Sequence, residues 1–274
     1  MPSLKRVVRW LLNRVLLSAG LACAASTALC LGGEPRLIAH RGGVVDERLA
    51  ENSPAAVEEA IRRSYWMVEV DVWRSADGRA VVQHDRNFRR FYDHAGRVDE
   101  MNWAAIRSLR ATPGGSRPLL FSEYAAICCG RIRLMLDTKG QSQPRAFFEE
   151  METVLRENGL LATAYIIGNN ASREYFAGKA RTSLGLEAFH EAVEAGQLDV
   201  DKHFLFVHGN ELEAESVAEA MKTGIPIVPS VNIFHYVSPQ HVERATADLR
   251  RLRALGVEEF QIDSVYDRVF LAPQ

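Results

Sequence analysis

Residues 67–72 read Met-Val-Glu-Val-Asp-Val, and this stretch decides how the rest of the chain is interpreted. Residues two apart in a strand share a face, so Glu69 and Asp71 lie on one side and the valines on the other. A solvated strand face would also tolerate two acids, but the apolar neighbours favour a buried strand. Two buried carboxylates repel each other unless a positive group lies between them, and a divalent cation meets that need. Ligands that are all oxygen favour Mg²⁺ or Ca²⁺.

Apolar segments alternate with helical patterns on both sides of this stretch. Helix 54–64 follows Ser53, which suits an N-cap, and helix 144–158 ends at Gly159. This alternation predicts an α/β fold with a parallel sheet. Nine segments have strand character, namely 36–40, 67–72, 80–84, 132–137, 164–168, 183–186, 204–207, 225–231 and 260–263.

The length and the strand pattern together favour a (β/α)₈ TIM barrel over residues 34–274, since such barrels need about 250 residues. Nine strands are one more than a closed barrel of eight requires. The link from residue 72 to residue 80 is also too short for a crossover helix. We therefore expect an irregular barrel on that side, and a small inserted helix at 103–109 within the long connection 85–119.

The first 33 residues differ from the rest in composition. Four cations, at Lys5, Arg6, Arg9 and Arg14, precede an uncharged run over residues 15–31, and small residues follow. This order is typical of a signal peptide, although an uncleaved membrane anchor has the same layout. A buried core helix is disfavoured by the cations before the run. We expect an exported domain, periplasmic or extracellular, with membrane association through residues 1–33 if they are retained.

Composition excludes one class of partner. The formal net charge is −2, with 47% hydrophobic and 25% charged residues, which is ordinary for a globular protein. Nucleic-acid binding would call for a basic surface, so a small-molecule substrate is the better expectation.

Three further groups follow predicted strands. His40-Arg41-Gly42-Gly43 suits a phosphate, because arginine offers a planar fork to two oxygens, although a surface loop would also explain it. His84 precedes Asp85 and suits a general acid or base, although a lone histidine is more often structural. Asp137 and Lys139 share a strand face, which suits either a metal-and-phosphate pair or a local ion pair.

Taken together these groups resemble the glycerophosphodiester phosphodiesterase family. That family has His-Arg-Gly after its first strand, then Glu-Asn, Glu-x-Asp, an Asp-Gly turn, His-Asp and a later acid-x-Lys strand. The chain matches in the same order, and the likeness is strong up to Lys139 and extends to the closing strand at Asp263. The matching residues are His40-Arg41-Gly42, Glu51-Asn52, Glu69-Val70-Asp71, Asp77-Gly78, His84-Asp85 and Asp137-Thr138-Lys139.

The resemblance implies a role for each residue. His40 and His84 would be the catalytic acid and base. Arg41, Glu51, Asn52 and Lys139 would bind the substrate, and Glu69, Asp71 and Asp137 would hold the metal, Mg²⁺ or Ca²⁺. The implied reaction is hydrolysis of a glycerophosphodiester to glycerol phosphate and an alcohol, a step in glycerophospholipid breakdown.

Two departures and two rival functions remain open. Asp137 is one methylene shorter than the glutamate usual in the family, so it could bind the metal directly or through water. The family's late aromatic-Thr pair is Pro229-Ser230 here. The rivals are a related barrel phospholipase or lyase, acting on intact lipids or giving a cyclic phosphate, and a non-catalytic barrel that only binds.

Overall fold

The computed structural model describes residues 33–237 and 239–270, and residues from Glu34 onward form one compact unit. Its strands are β1 (Arg36–Ala39), β2 (Met67–Arg74), β3 (Ala80–Val82), β4 (Asn87–Phe88), β5 (His94–Arg97), β6 (Leu119–Leu120), β7 (Arg133–Thr138), β8 (Tyr165–Ile166), β9 (Arg181–Leu184), β10 (His203–His208), β11 (Ile227–Val231) and β12 (Glu259–Ile262). Its helices are α1 (Pro54–Arg62), α2 (Arg89–Tyr92), α3 (Trp103–Ile106), α4 (Phe121–Cys128), α5 (Arg145–Glu157), α6 (Asn170–Phe176), α7 (Leu186–Glu194), α8 (Ala214–Thr223) and α9 (His241–Ala254).

Eight parallel strands close into a barrel. The ring runs β1, β2, β7, β8, β9, β10, β11 and β12, and β12 pairs with β1 to complete it. At the closing seam Leu37 lies opposite Phe260, and Ile38 lies opposite Met67. The predicted (β/α)₈ barrel is therefore confirmed, and the carboxyl ends of all eight strands meet at one mouth.

Two apolar layers hold the barrel together. Inside it, buried side chains such as Ile38, Met67 and Phe204 fill the lower part. Outside it, the valines of β2 join a larger core between the strands and the helices. Burying one such side chain contributes about 1.5–3 kcal/mol. The alternation in 67–72 therefore places the valines in the outer core and both acids inside the barrel.

One of the nine predicted strands, at residues 80–84, lies outside the ring as β3. The link from residue 72 to residue 80 is too short for the crossover helix that a parallel neighbour would need. β3 runs antiparallel to the end of β2, with Val82 opposite Val72 and Ala80 opposite Arg74. β2 thus rises above the barrel, and β3 returns to the mouth, where the Gln83 N–H donates to the Asp71 carbonyl at 3.0 Å. This reversal delivers His84 to the mouth from a strand of the opposite direction.

The long connection after β3 is partly structured. It carries the β4–β5 hairpin, α2 and α3, and β6 then pairs with β3. The predicted helix at 103–109 is present in shortened form as α3. The hairpin and β6 were not expected from the sequence, because each strand pairs over only a few residues.

The loop after β1 is tightly turned. His40–Gly42 form a single 3₁₀ turn in which Arg41 has a left-handed conformation, with φ 55° and ψ 46°. Gly43 follows at φ +130°, and a Cβ there would lie 2.3 Å from the Ala56 carbonyl oxygen. Helix α1 begins as predicted, with the Ser53 hydroxyl accepting from the Ala56 N–H. The close approach of loop and helix therefore requires glycine at position 43.

The predicted leader, residues 1–33, lies outside the described residues except for Gly33, so export and membrane anchoring stay predictions. Among the helices of residues 33–237 and 239–270, none has the length and apolar character needed to cross a membrane.

We expect Gly43→Ala to lower the free energy of unfolding by more than about 3 kcal/mol, because a strained φ and a backbone clash act together. Gly130→Ala is the matched control, since Gly130 also has positive φ (+68°) but nothing lies within 4 Å of its added Cβ. The control should cost about 1–2 kcal/mol. Urea denaturation measures both, and equal losses would show that the loop yields around the new methyl group.

Candidate functional site

Three carboxylates converge at the barrel mouth. Glu69 and Asp71 point inward from β2, and Asp137 lies opposite Asp71 on the neighbouring β7. One oxygen from each of the three lies within 4.8 Å of the others. The Lys139 ammonium bridges two of them, 2.8 Å from Asp71 Oδ1 and 2.6 Å from Asp137 Oδ2.

The charges in this cluster do not balance. Burial, together with the charges of Asp71 and Asp137, raises the pKa of Glu69 well above its ordinary value. Burial also opposes ionisation of Asp71, but Lys139 and His84 outweigh it and hold that pKa below its ordinary value. Burial would lower the pKa of Lys139, yet Asp71 and Asp137 raise it. Three acids thus share one ammonium, and this all-oxygen set fits a hard divalent cation.

A second acidic group lies beside the first and is already neutralised. Glu51, His84 and Asp85 bring one ligand atom each within 4.8 Å. However, the Arg90 guanidinium lies 2.9 Å from Glu51 Oε1 and 2.9 Å from Asp85 Oδ2. Burial raises the pKa of Glu51 to about 7 even though Arg90 and Arg41 oppose it. Two guanidinium groups thus face two carboxylates here, whereas three carboxylates share one ammonium in the Glu69–Asp71–Asp137 cluster, so this second group suits a metal less well.

The two histidines face each other across the mouth, with ring centroids 6.4 Å apart and planes nearly perpendicular. His40 Nδ1 lies 2.7 Å from Asp263 Oδ1. Burial works against ionisation of Asp263, but the hydrogen bond and charge of His40 keep its pKa low. The carboxylate therefore accepts from Nδ1–H, which leaves Nε2 as the basic nitrogen of a neutral His40 ring.

His84 is held by the neighbouring acid and is less buried than His40, with 23% of its side chain exposed. Its Nδ1 is 2.8 Å from Asp85 Oδ1. Burial is the main reason that the pKa of His84 is lowered, although the Asp71 charge opposes the shift. His84 is therefore neutral at pH 7 until a further negative charge enters the site.

The first loop supports the carboxylates through its backbone and side chains. The Arg41 N–H donates to Glu69 Oε2 at 2.7 Å, and the left-handed turn at Arg41 aims it there. Asn52 Nδ2 donates to Asp71 Oδ2 at 3.1 Å. The Arg41 guanidinium lies 3.4 Å from Glu51 Oε2. Asn52 and Glu51 thus contact other site residues, while Arg41 remains at the edge of the open cavity.

The structure brings all nine predicted site residues to one mouth, and the roles given to them stay predictions. Sequence reasoning missed three residues that contact them: Arg90, Asp263 and Phe234. A cavity of about 320 Å³ is lined by His40, Arg41, Glu51 and all three of these. Of these three residues, only Asp263 could have been found from the sequence. It follows the last barrel strand, and that strand must pair with β1 to close the barrel.

The comparisons with known proteins agree with this geometry. Residues 40–179, just over half of the chain, match the model of the "Glycerophosphoryl diester phosphodiesterase family". The chain belongs to the glycerophosphoryl diester phosphodiesterase family. The resemblance stated from the motifs is thereby confirmed.

Two curated relatives match part of the chain. The chain is 31% identical over 107 residues to "Probable glycerophosphodiester phosphodiesterase 2" of Mycobacterium tuberculosis, covering 39% of this chain and 40% of that one. It is 29% identical over 114 residues to glycerophosphodiester phosphodiesterase 1 of Rattus norvegicus, covering 38% and 34%. The chain therefore spans well under half the length of these relatives.

Solved structures share the fold over most of the chain. A glycerophosphodiester phosphodiesterase from Agrobacterium tumefaciens superposes with a TM-score of 0.68 at 18% identity, covering 86% of this chain and 99% of that one. An Oleispira antarctica phosphodiesterase in complex with the product sn-glycerol-3-phosphate gives a TM-score of 0.65 at 18% identity, covering 86% and 96%.

Asp263→Asn should lower turnover of a glycerophosphodiester by about 10²–10⁴-fold, the range for losing an effective acid–base group. The asparagine amide would not hold His40 as the carboxylate does, with the basic Nε2 facing the cavity. The substrate's KM should change little. Asp201→Asn, at an acid on the surface whose side chain is 92% exposed, is the control, and equal effects of the two changes would remove Asp263 from the site.

Proposed function

We propose that this protein hydrolyses glycerophosphodiesters to glycerol phosphate and an alcohol with the help of Mg²⁺ or Ca²⁺. The observation that carries the proposal is the placement of two imidazoles, 6.4 Å apart, above a buried carboxylate cluster. Both histidines lie near enough to Asp71 for their charges to lower its pKa. An acid, a base and an anion-binding edge at Arg41 are the parts that phosphodiester hydrolysis needs.

Glu69, Asp71 and Asp137 would hold the divalent cation, which when bound draws charge from the phosphoryl oxygens. Asp137 is the least buried of the three and also pairs with Lys139. Its shorter side chain leaves room for either direct or water-mediated contact. The side chain of Lys139 is 21% exposed, and its ammonium would also meet a phosphate oxygen.

The chain's own residues would move the protons. His40 Nε2 takes the proton from the attacking hydroxyl, which is either water or the neighbouring glycerol hydroxyl. His84 gives a proton to the leaving alcohol. A bound phosphodiester adds a negative charge beside His84, and this favours the protonated ring that the acid role requires. Arg41 offers its guanidinium to the phosphate oxygens from the cavity edge.

The direct test is phosphorus NMR of the full-length protein acting on glycerophosphocholine and related head groups, with and without excess EDTA. We expect glycerol phosphate as the product, loss of activity after chelation, and recovery with Mg²⁺ or Ca²⁺. A cyclic phosphate would support the lyase rival. No reaction with any substrate and either metal would support the non-catalytic barrel, and full activity in EDTA would remove the metal from the proposal.

His84→Ala should lower turnover by about 10²–10⁴-fold on substrates with a poor leaving alcohol, because the acid is lost. A p-nitrophenyl ester needs little protonation on leaving, so it should recover much of that loss. His40→Ala is the matched variant and should show no such recovery, since base catalysis is still missing. Recovery of His40→Ala but not of His84→Ala on the p-nitrophenyl ester would exchange the two roles. Near wild-type turnover in either variant would show that the substituted histidine is not catalytic.

A further inference from the structure

The guanidinium of Arg90 joins the loop after β1 to the loop after β3. Arg90 belongs to α2, a four-residue helix in the long connection that follows β3. Its Nη2 donates at 2.9 Å to Glu51 Oε1, in the first of these loops. The same nitrogen donates at 2.9 Å to Asp85 Oδ1, in the second loop, and Nε donates at 2.9 Å to Asp85 Oδ2. One side chain therefore holds an acid on each side of the mouth.

The contact between Arg90 and Asp85 is a fork of two hydrogen bonds. A planar guanidinium matches both oxygens of a carboxylate, so the pair is stronger and more directional than a single hydrogen bond. Burial opposes ionisation of Asp85, but the hydrogen bonds from His84 and Arg90 outweigh it and keep its pKa below the ordinary value. Asp85 is therefore an ionised acceptor whose orientation Arg90 fixes.

The hydrogen atoms of Arg90 also decide which nitrogen of His84 transfers the proton. Nη2 lies 3.3 Å from His84 Nδ1, but it carries only two hydrogens, and Glu51 and Asp85 accept both. His84 Nδ1 thus receives no hydrogen from Arg90, and it donates its own to Asp85 Oδ1 at 2.8 Å. The other ring nitrogen, Nε2, is left to gain the proton that passes to the leaving alcohol.

Charges of opposite sign alternate from the phosphate-binding edge to the general acid. Arg41 Nη1 lies 3.4 Å from Glu51 Oε2, Glu51 pairs with Arg90, and Arg90 pairs with Asp85. Glu51 is only 3% exposed, so salt screens its ion pairs weakly. Loss of Arg90 would break this row in the middle and leave Asp85, and with it His84, free to turn.

We infer that Arg90 is the positioning residue of the general acid, since it orients Asp85 and, through Asp85, the ring of His84. This inference rests on the proposed function and deepens it. It also gives a role to the long connection after β3, which supplies Arg90 from α2. Isolated surface ion pairs contribute little, but Arg90 binds two acids at once, and one of them holds the histidine.

The test is a double-mutant cycle on the full-length protein, with kcat and KM measured for glycerophosphocholine and for the p-nitrophenyl ester of glycerol phosphate. Arg90→Gln should lower kcat for glycerophosphocholine by up to about 10²-fold, the cost of a small misplacement of a catalytic group, with KM little changed. The p-nitrophenyl ester should recover most of that loss, because its leaving group needs little protonation. In an Asp85→Asn background, Arg90→Gln should have little further effect, because Arg90 acts through Asp85.

Two further variants complete the design. Arg89→Gln is the matched control, since Arg89 is an exposed arginine on the same helix, and it should leave kcat for both esters unchanged. Arg90→Lys keeps the positive charge beside both acids but loses the planar fork. It should therefore fold even if Arg90→Gln does not, and it should show a smaller loss of kcat with the same recovery on the p-nitrophenyl ester.

Four results would overturn the inference and leave the proposed function standing. Equal losses of kcat for the two esters would show that Arg90 only stabilises the fold. Equal effects of Arg90→Gln with and without Asp85 would show that Arg90 does not act through that acid. A raised KM with unchanged kcat would make Arg90 a phosphate ligand, and wild-type kcat in Arg90→Lys would show that the fork is not needed. Wild-type protein inactive on both esters would count against the proposed function itself, and the inference would fail with it.

Discussion

The site depends on one electrostatic constraint: three carboxylates are confined in a dry barrel mouth with a single ammonium among them. Glu69 and Asp71 are almost fully buried, at 1% and 0% exposure. Burial and mutual repulsion raise the pKa of Glu69, so the protein by itself does not stabilise all three charges. A divalent cation would supply the missing positive charge, and folding and metal binding would then be coupled.

The surrounding structure keeps the carboxylates in place. The Arg41 N–H and the Asn52 amide each donate to one of them, and both come from the loop after β1. That loop takes its shape from the left-handed Arg41 and from Gly43, which lies against helix α1. Asp263 accepts from His40 and also, at 2.6 Å, from the Ile233 N–H. His40 and the 3₁₀ turn that carries Phe234 are therefore tied to the same carboxylate.

Much of this arrangement could be predicted from local sequence. The alternation in 67–72 predicted the two faces of β2, and the short link to residue 80 correctly predicted an irregular barrel on that side. The residues that were missed act through distant contacts. Asp263 meets His40 across 223 residues of sequence. Arg90 reaches Glu51 from a four-residue helix within a long connection, where no periodic pattern reveals which way a side chain points. Phe234 lies in a 3₁₀ turn of three residues, too short to show a periodic pattern in the sequence.

The most direct measurement is an anomalous difference map from crystals of the protein soaked with Mn²⁺, an ion that prefers the same oxygen ligands. We expect one strong peak among Glu69, Asp71 and Asp137, within about 2.0–2.6 Å of the directly bound oxygens. A peak between Glu51, His84 and Asp85, or none at the barrel mouth, would contradict it.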